Sequence, residues 1–182
     1  MCPHPSPQPP QPPQPPQPPQ PLQPLLTERL KSASSVALLC VGAELRGDDG
    51  VGMRIGRILD QPGAGHPRLQ VHYGSSAPEN CTGPIRAQAP SHLIIIDAAH
   101  LGAEPGSLSL LEREQLTGIS FCTHALPLNV IVDFIASSNP QLKDVLLLGI
   151  QPQEMGFDEP LTPVIEEVAQ SVAAMLRDSL PK

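Results

Sequence analysis

The sequence predicts an α/β domain of three layers, a twisted and mostly parallel sheet flanked by helices on both faces. Three observations carry that expectation. Apolar runs of strand length recur at residues 36–41, 92–96 and 145–150, VALLCV, HLIII and VLLLGI, and their lack of alternation marks strands buried on both faces. Segments with helical apolar spacing lie between and after them. The alternation continues through one stretch of about 145 residues with no internal repeat, which argues one domain wound as strand and helix in turn.

The stretch at 36–52, VALLCVGAELRGDDGVG, sets the frame for the rest. Its apolar run ends in a glycine-punctuated loop with two adjacent carboxylates, Asp48 and Asp49. From Val51 the apolar residues Val51, Ile55, Ile58 and Leu59 fall at i, i+4, i+7 and i+8, the stripe of an amphipathic helix. Gly47, Gly50 and Gly52 let the backbone turn sharply where the strand's carboxyl end meets the helix's amino end. Open α/β sheets bind their ligands at such an edge.

Residues 69–73 alternate and read as a second strand; the loop at 74–80 starts a short helix through Ile85, against which Pro84 counts. Asp97 follows the central run, a turn-rich segment leads to another short strand at 107–111, and a polar stretch runs on to His124. Pro127 suits a helix's first turn, with Leu128, Ile131, Val132 and Ile135 on one face. Thr162 and Pro163 form the cap and first residue of a last helix burying Val164, Ile165, Val168, Val172 and Leu176.

Domain limits follow from composition. About half of the 25 prolines lie in the first 24 residues, with PPQ repeats at 9–21, so residues 1–33 read as a disordered Pro/Gln-rich arm and 34–180 as the folded domain. Residues 27–35 are polar and form a short lead-in helix or a linker. A proline-rich arm is also a candidate ligand for an aromatic-lined groove. No apolar stretch approaches the ~20 residues that span a bilayer, and the amino end lacks the apolar core of a secretion signal, so the expected location is cytoplasmic. Cys2, Cys40, Cys81 and Cys122 show no C-x-x-C pair and read as reduced thiols. A formal charge of -7, no cluster of lysine or arginine and an aromatic fraction of 2% disfavour nucleic acid as a partner.

With parallel strands, the loops carrying Asp49, Asp97 and His124 open on one edge of the sheet. Two carboxylates and an imidazole suit a borderline divalent ion such as nickel or zinc and leave coordination positions open. Helix amino ends beside Asp49 and His124 would favour a carboxylate and a neutral ring, the states a metal requires. Plainer roles exist for each: helix caps for Asp48 and Asp49, a turn former for Asp97, a structural histidine for His124. Two other chemistries are open, Cys122 as a nucleophile with an imidazole base and the glycine-rich loop as a phosphate cradle. The loop lacks the glycine order and the lysine of nucleotide-binding motifs, and its two anions would repel phosphate.

Five blocks in order, GDDGVG (47–52), GSSAPEN (74–80), HLIIIDA with LGAEPG (92–106), THALPLN (123–129) and LLGIQP (147–152), resemble the nickel-iron hydrogenase maturation endopeptidases. They are most similar to the branch acting on the large subunit of formate-hydrogenlyase-type hydrogenase 3. The resemblance implies an aspartyl-type endopeptidase with a compact α/β fold. It would remove a carboxy-terminal extension from a hydrogenase large-subunit precursor once nickel is in place. By motif position it makes Asp49, Asp97 and His124 both the catalytic and the metal-contacting set, with Asp48 as support. The nickel is then supplied by the bound precursor, and no permanent cofactor is expected. The alternative class is a non-enzymatic metal- or nucleotide-binding chaperone of the same fold. Ala43 and Ala125 stand where the family commonly has asparagine, which removes two polar side chains near the expected site.

Overall fold

The computed structural model describes residues 21–111 and 127–182. The sheet has five strands, β1 (Val36–Val41), β2 (Leu69–Ser75), β3 (His92–Ala98), β4 (Leu108–Leu111) and β5 (Asp144–Ile150), in the order β2-β1-β3-β5-β4. β1 pairs in parallel with β2 and with β3, β3 pairs in parallel with β5, and β4 closes the far edge antiparallel to β5. Every residue of β1 and β3 is buried, as expected of unbroken apolar runs in central strands.

Among the described residues five α-helices cover the two faces: α1 (Leu22–Leu30), α2 (Val51–Leu59), α3 (Thr82–Gln88), α4 (Leu128–Ser137) and α5 (Pro163–Ser179). Strand residues alternate between two cores. Leu38, Cys40, Ile94, Ile96, Leu146 and Leu148 meet α1, α2 and α5, whereas Leu39, Val41, Leu93, Ile95 and Leu147 meet α3 and α4. The three layers therefore match the expected architecture.

The helical stripes fall where the spacing placed them, with two adjustments. α5 buries Ile165, Ala169, Val172, Ala173 and Leu176, while Val164 and Val168 pack at the margin of the core. Pro84 sits in the first turn of α3, where an amide has no intrahelical acceptor to lose.

The limit of the amino-terminal arm needs correction. Residues 22–30 are not disordered: Leu22, Leu26 and Leu30 recur every four residues and seat α1 against α5, with Leu26 and Leu30 fully buried. Arg29 adds a bidentate pair to Asp144 at the start of β5, at 2.6 and 2.7 Å. The stripe was hidden because it directly follows the proline repeats and gains meaning only against α5.

α2 and α5 are joined by the pair Arg54–Glu166, whose shortest contact is 2.6 Å. Both side chains are about a third exposed, so the pair contributes at most ~1 kcal/mol. The Arg54 guanidinium holds the Glu166 carboxyl below its ordinary value of 4.5. A depressed carboxyl stabilises the fold above its unfolded value and loses that contribution as pH falls through the folded one. Glu166→Gln should therefore lower stability at neutral pH by less than ~1 kcal/mol, with no difference from the parent in strong acid, measured by urea unfolding at several pH values.

Gly52, in the first turn of α2, lies over the ends of both central strands. A Cβ there would stand 2.4 Å from the carbonyl oxygen of Val41 and 2.6 Å from that of Ile96. Neither backbone can yield, so Gly52→Ala should destabilise by about 1–3 kcal/mol or more, read as a lower urea midpoint.

Candidate functional site

The strand order reverses direction between β1 and β3, since the chain moves from β1 outward to β2 and then back across to β3. A crevice at the carboxyl ends of two such strands is the usual ligand site of open α/β sheets. Asp49 and Asp97 both lie there. Asp97 is the sixth residue of β3, opposite Gly149 of β5, and Asp49 lies in a tight 3-10 turn, Gly47–Gly50, that contacts β3. Both are fully buried.

Gly42 makes this turn geometry attainable. It has φ of +120°, and a Cβ on it would stand 1.8 Å from the carbonyl oxygen of Asp49, so only glycine lets the chain leave β1 this close to the turn. Its amide donates to the carbonyl of Ser75 at the end of β2, and the next amide, that of Ala43, donates to Asp49 Oδ2 at 2.9 Å. The Ala43 contact is made by backbone, so the expected loss of an asparagine side chain leaves it intact.

Asp48 has a different task. Its Oδ2 accepts from the amides of Gln153 and Glu154, both at 2.9 Å, and its Oδ1 accepts from the amide of Thr162 at 2.7 Å. The Thr162 hydroxyl lies 3.0 Å from both oxygens. Neither the 3-10 turn nor α2 has a side-chain cap, so Asp48 does not cap its own helix; it lies instead at the amino end of α5, where anions are favoured. Thr162 occupies the cap position of α5 as expected, but its hydroxyl serves Asp48 rather than the helix.

The amides around the first loop bear on the phosphate alternative. Those of Gly42, Ala43, Arg46, Gly47, Asp48 and Asp49 each donate to a protein acceptor. A phosphate cradle requires such groups to converge on an anion, and here they are engaged within the protein.

His124 and Cys122, with Ala125, fall outside the described residues. Among the described residues no set of three histidine, cysteine, aspartate or glutamate side chains gathers as a metal site, so two of the three expected donors can be placed. Cys40 and Cys81 are free thiols, and burial pushes both up, which disfavours the nucleophilic thiolate.

Two further residues of this edge were not singled out from sequence. Gln151 accepts from the amide of Leu101 at 2.7 Å through Oε1, and its backbone receives the amide of Gly106, so the GIQP block holds the LGAEPG loop. Glu79 stands in the first turn after β2, and its buried Oε2 has no hydrogen-bond partner. The signal for either was its place in a motif, with nothing in local periodicity to mark it.

Asp48→Asn replaces one accepting oxygen by an amide facing backbone donors. Hydrogen bonds to charged groups are worth about 1.5–3 kcal/mol each, so a loss of at least that size is expected in urea unfolding.

A family model described as hydrogenase maturation protease matches residues 53–179. The hydrogenase 3 maturation protease of Escherichia coli K12 is 35% identical over 138 residues, covering 74% of this chain and 84% of that protein. The crystal structure of a [NiFe] hydrogenase maturation protease, HycI, from Thermococcus kodakarensis superposes with a TM-score of 0.77 at 26% identity, covering 86% of this chain and 98% of that one. The solution structure of the endopeptidase HycI from Escherichia coli gives 0.70 at 33% identity, with coverages of 79% and 90%. With the sheet, the crevice and the strand-end acids in place, this extent of likeness shows that the chain belongs to the hydrogenase maturation protease family and is a peptidase.

Proposed function

We propose that this protein is the endopeptidase that removes the C-terminal extension of a [NiFe] hydrogenase large-subunit precursor after nickel insertion. One observation carries this: two fully buried aspartates, Asp49 and Asp97, stand at the carboxyl ends of adjacent parallel strands at the switch point. Carboxylates at such a place are kept from water and held in fixed positions, which suits a site that must meet a cation.

Asp49, Asp97 and His124 form the proposed catalytic and metal-contacting set, with nickel arriving on the precursor. Two oxygen donors and one imidazole suit nickel and leave positions for the precursor's own ligands. The Ala43 amide fixes one oxygen of Asp49 and leaves its carboxylate oriented by backbone. The ion then acts as a recognition handle: it accepts bonds from the two carboxylates that a nickel-free precursor cannot make, so only a loaded precursor is held with its scissile bond in place. At the bond, nickel held on the precursor would supply Lewis acidity; an aspartyl carboxylate would take a proton from the adding water and return it to the amide nitrogen as the C–N bond breaks, releasing the extension as an amine. Among the described residues no helix is long and apolar enough to cross a membrane, and we place the reaction in the cytoplasm with the unprocessed precursor.

Incubation with matched nickel-loaded and nickel-free precursor tests this reading. The protein should shorten the first and spare the second. His124→Ala and Asp97→Asn should each cut processing by roughly 10²–10⁴-fold, the range of a lost acid–base or metal-contacting group, with an unchanged circular dichroism spectrum. Normal processing by His124→Ala would remove that residue from the site.

A further inference from the structure

Two loops at the rim of the crevice run side by side. The amide of Asp158 donates to the carbonyl of Leu45 at 2.7 Å, that of Gly47 to Glu159 at 3.1 Å, and that of Asp48 to Glu154 at 3.0 Å. On this ledge two large apolar side chains face water, Leu45 at 61% and Phe157 at 79% exposure. The ledge is rigidly made. Asp158 holds φ of +59°, a left-handed conformation costly for a residue with a side chain, and the Asp48 carboxylate anchors the loop from beneath through Gln153, Glu154 and Thr162.

We infer that Leu45 and Phe157 form the docking surface for the precursor itself, seating apolar side chains of an extended segment next to its scissile bond. This rests on the protease function proposed above. Position is the first argument: Leu45 lies four residues before Asp49 on the same loop, and the intervening amides of Gly47 and Asp48 bond the loop that carries Phe157, so the ledge adjoins the turn that bears Asp49. Charge is the second. Glu44, Glu154, Asp158 and Glu159 lie on the same two loops as the apolar groups, with Arg46 as the loops' one cation, and Glu44 is paired with Arg57 of α2 at 2.7 Å. An acidic rim favours a segment that carries lysine or arginine beside its apolar residues. It disfavours a second copy of this chain, whose formal charge is -7, and an anionic lipid surface for the same reason.

Binding and cleavage are measured separately on the full chain with nickel-loaded precursor. Leu45→Ser and Phe157→Ser should each weaken precursor binding by roughly tenfold or more, as expected for an apolar side chain no longer buried on association. Cleavage should show the same rise in KM with kcat within about twofold, since neither residue touches the reacting atoms. Both positions are exposed, so thermal unfolding should not change. Phe134→Ser on α4, where the phenylalanine is 49% exposed, serves as the control and should bind like the parent. Unchanged binding by the Leu45→Ser, Phe157→Ser double variant, equal weakening by Phe134→Ser, or no precursor binding by the parent would each overturn the inference. Weakened binding by the ledge variants in a protein that cuts nothing would uphold the ledge and reject the protease reading.

Discussion

The site depends on one buried anion, Asp48, whose bonds hold two loops and the start of α5 together. Asp48 is fully buried, and its charge is compensated by the amides of Gln153, Glu154 and Thr162 with the Thr162 hydroxyl. Charge-assisted bonds of this kind are short and directional, so the turn bearing Asp48 cannot shift without stranding the carboxylate. The adjacent residue, Asp49, takes its bond from Ala43 on the β1 side. Two neighbouring acids thus divide the work: one binds the turn to the start of α5, and the other is left at the crevice.

Close approach is what lets this arrangement form. Gly42 brings the exit of β1 against the Asp49 carbonyl, and Gly52 lets α2 begin over the ends of β1 and β3. These contacts fix where the turn stands over the carboxyl ends of the paired strands β1 and β3, from which the chain leaves in opposite directions. A methyl group at either position would push the turn outward and with it Asp49. The glycines of the GDDGVG block therefore act on the geometry of the carboxylates, while the amides of the loop are engaged within the protein rather than offered to an anion.

The rim follows from the same anchor. Because the Asp48 bonds hold the loop after β5, Phe157 and Leu45 are carried on backbone that is fixed before any partner arrives. A preformed surface loses little conformational freedom on binding. The chain belongs to the hydrogenase maturation protease family, and on the docking inference a hydrogenase large-subunit substrate is the occupant of that surface.

What the chain by itself determined is what depends on local period. The runs of β1, β3 and β5 and the stripes of α2, α4 and α5 are properties of a few consecutive residues, and Asp49 and Asp97 could be placed because each lies at the edge of such an element, Asp49 just before α2 and Asp97 near the end of β3. The tertiary structure decided whatever needed a distant partner. α1 is a helix because Leu22, Leu26 and Leu30 find α5; their four-residue spacing is written in the chain, but directly behind a proline-rich tract three leucines alone do not choose between a helix and an extended arm. Asp48 and Asp49 are chemically identical in sequence, yet one accepts from groups 105 to 114 residues away and the other from an amide six residues away. Period is written in neighbours, whereas the fate of a buried charge is set by which donors the folded topology brings to it.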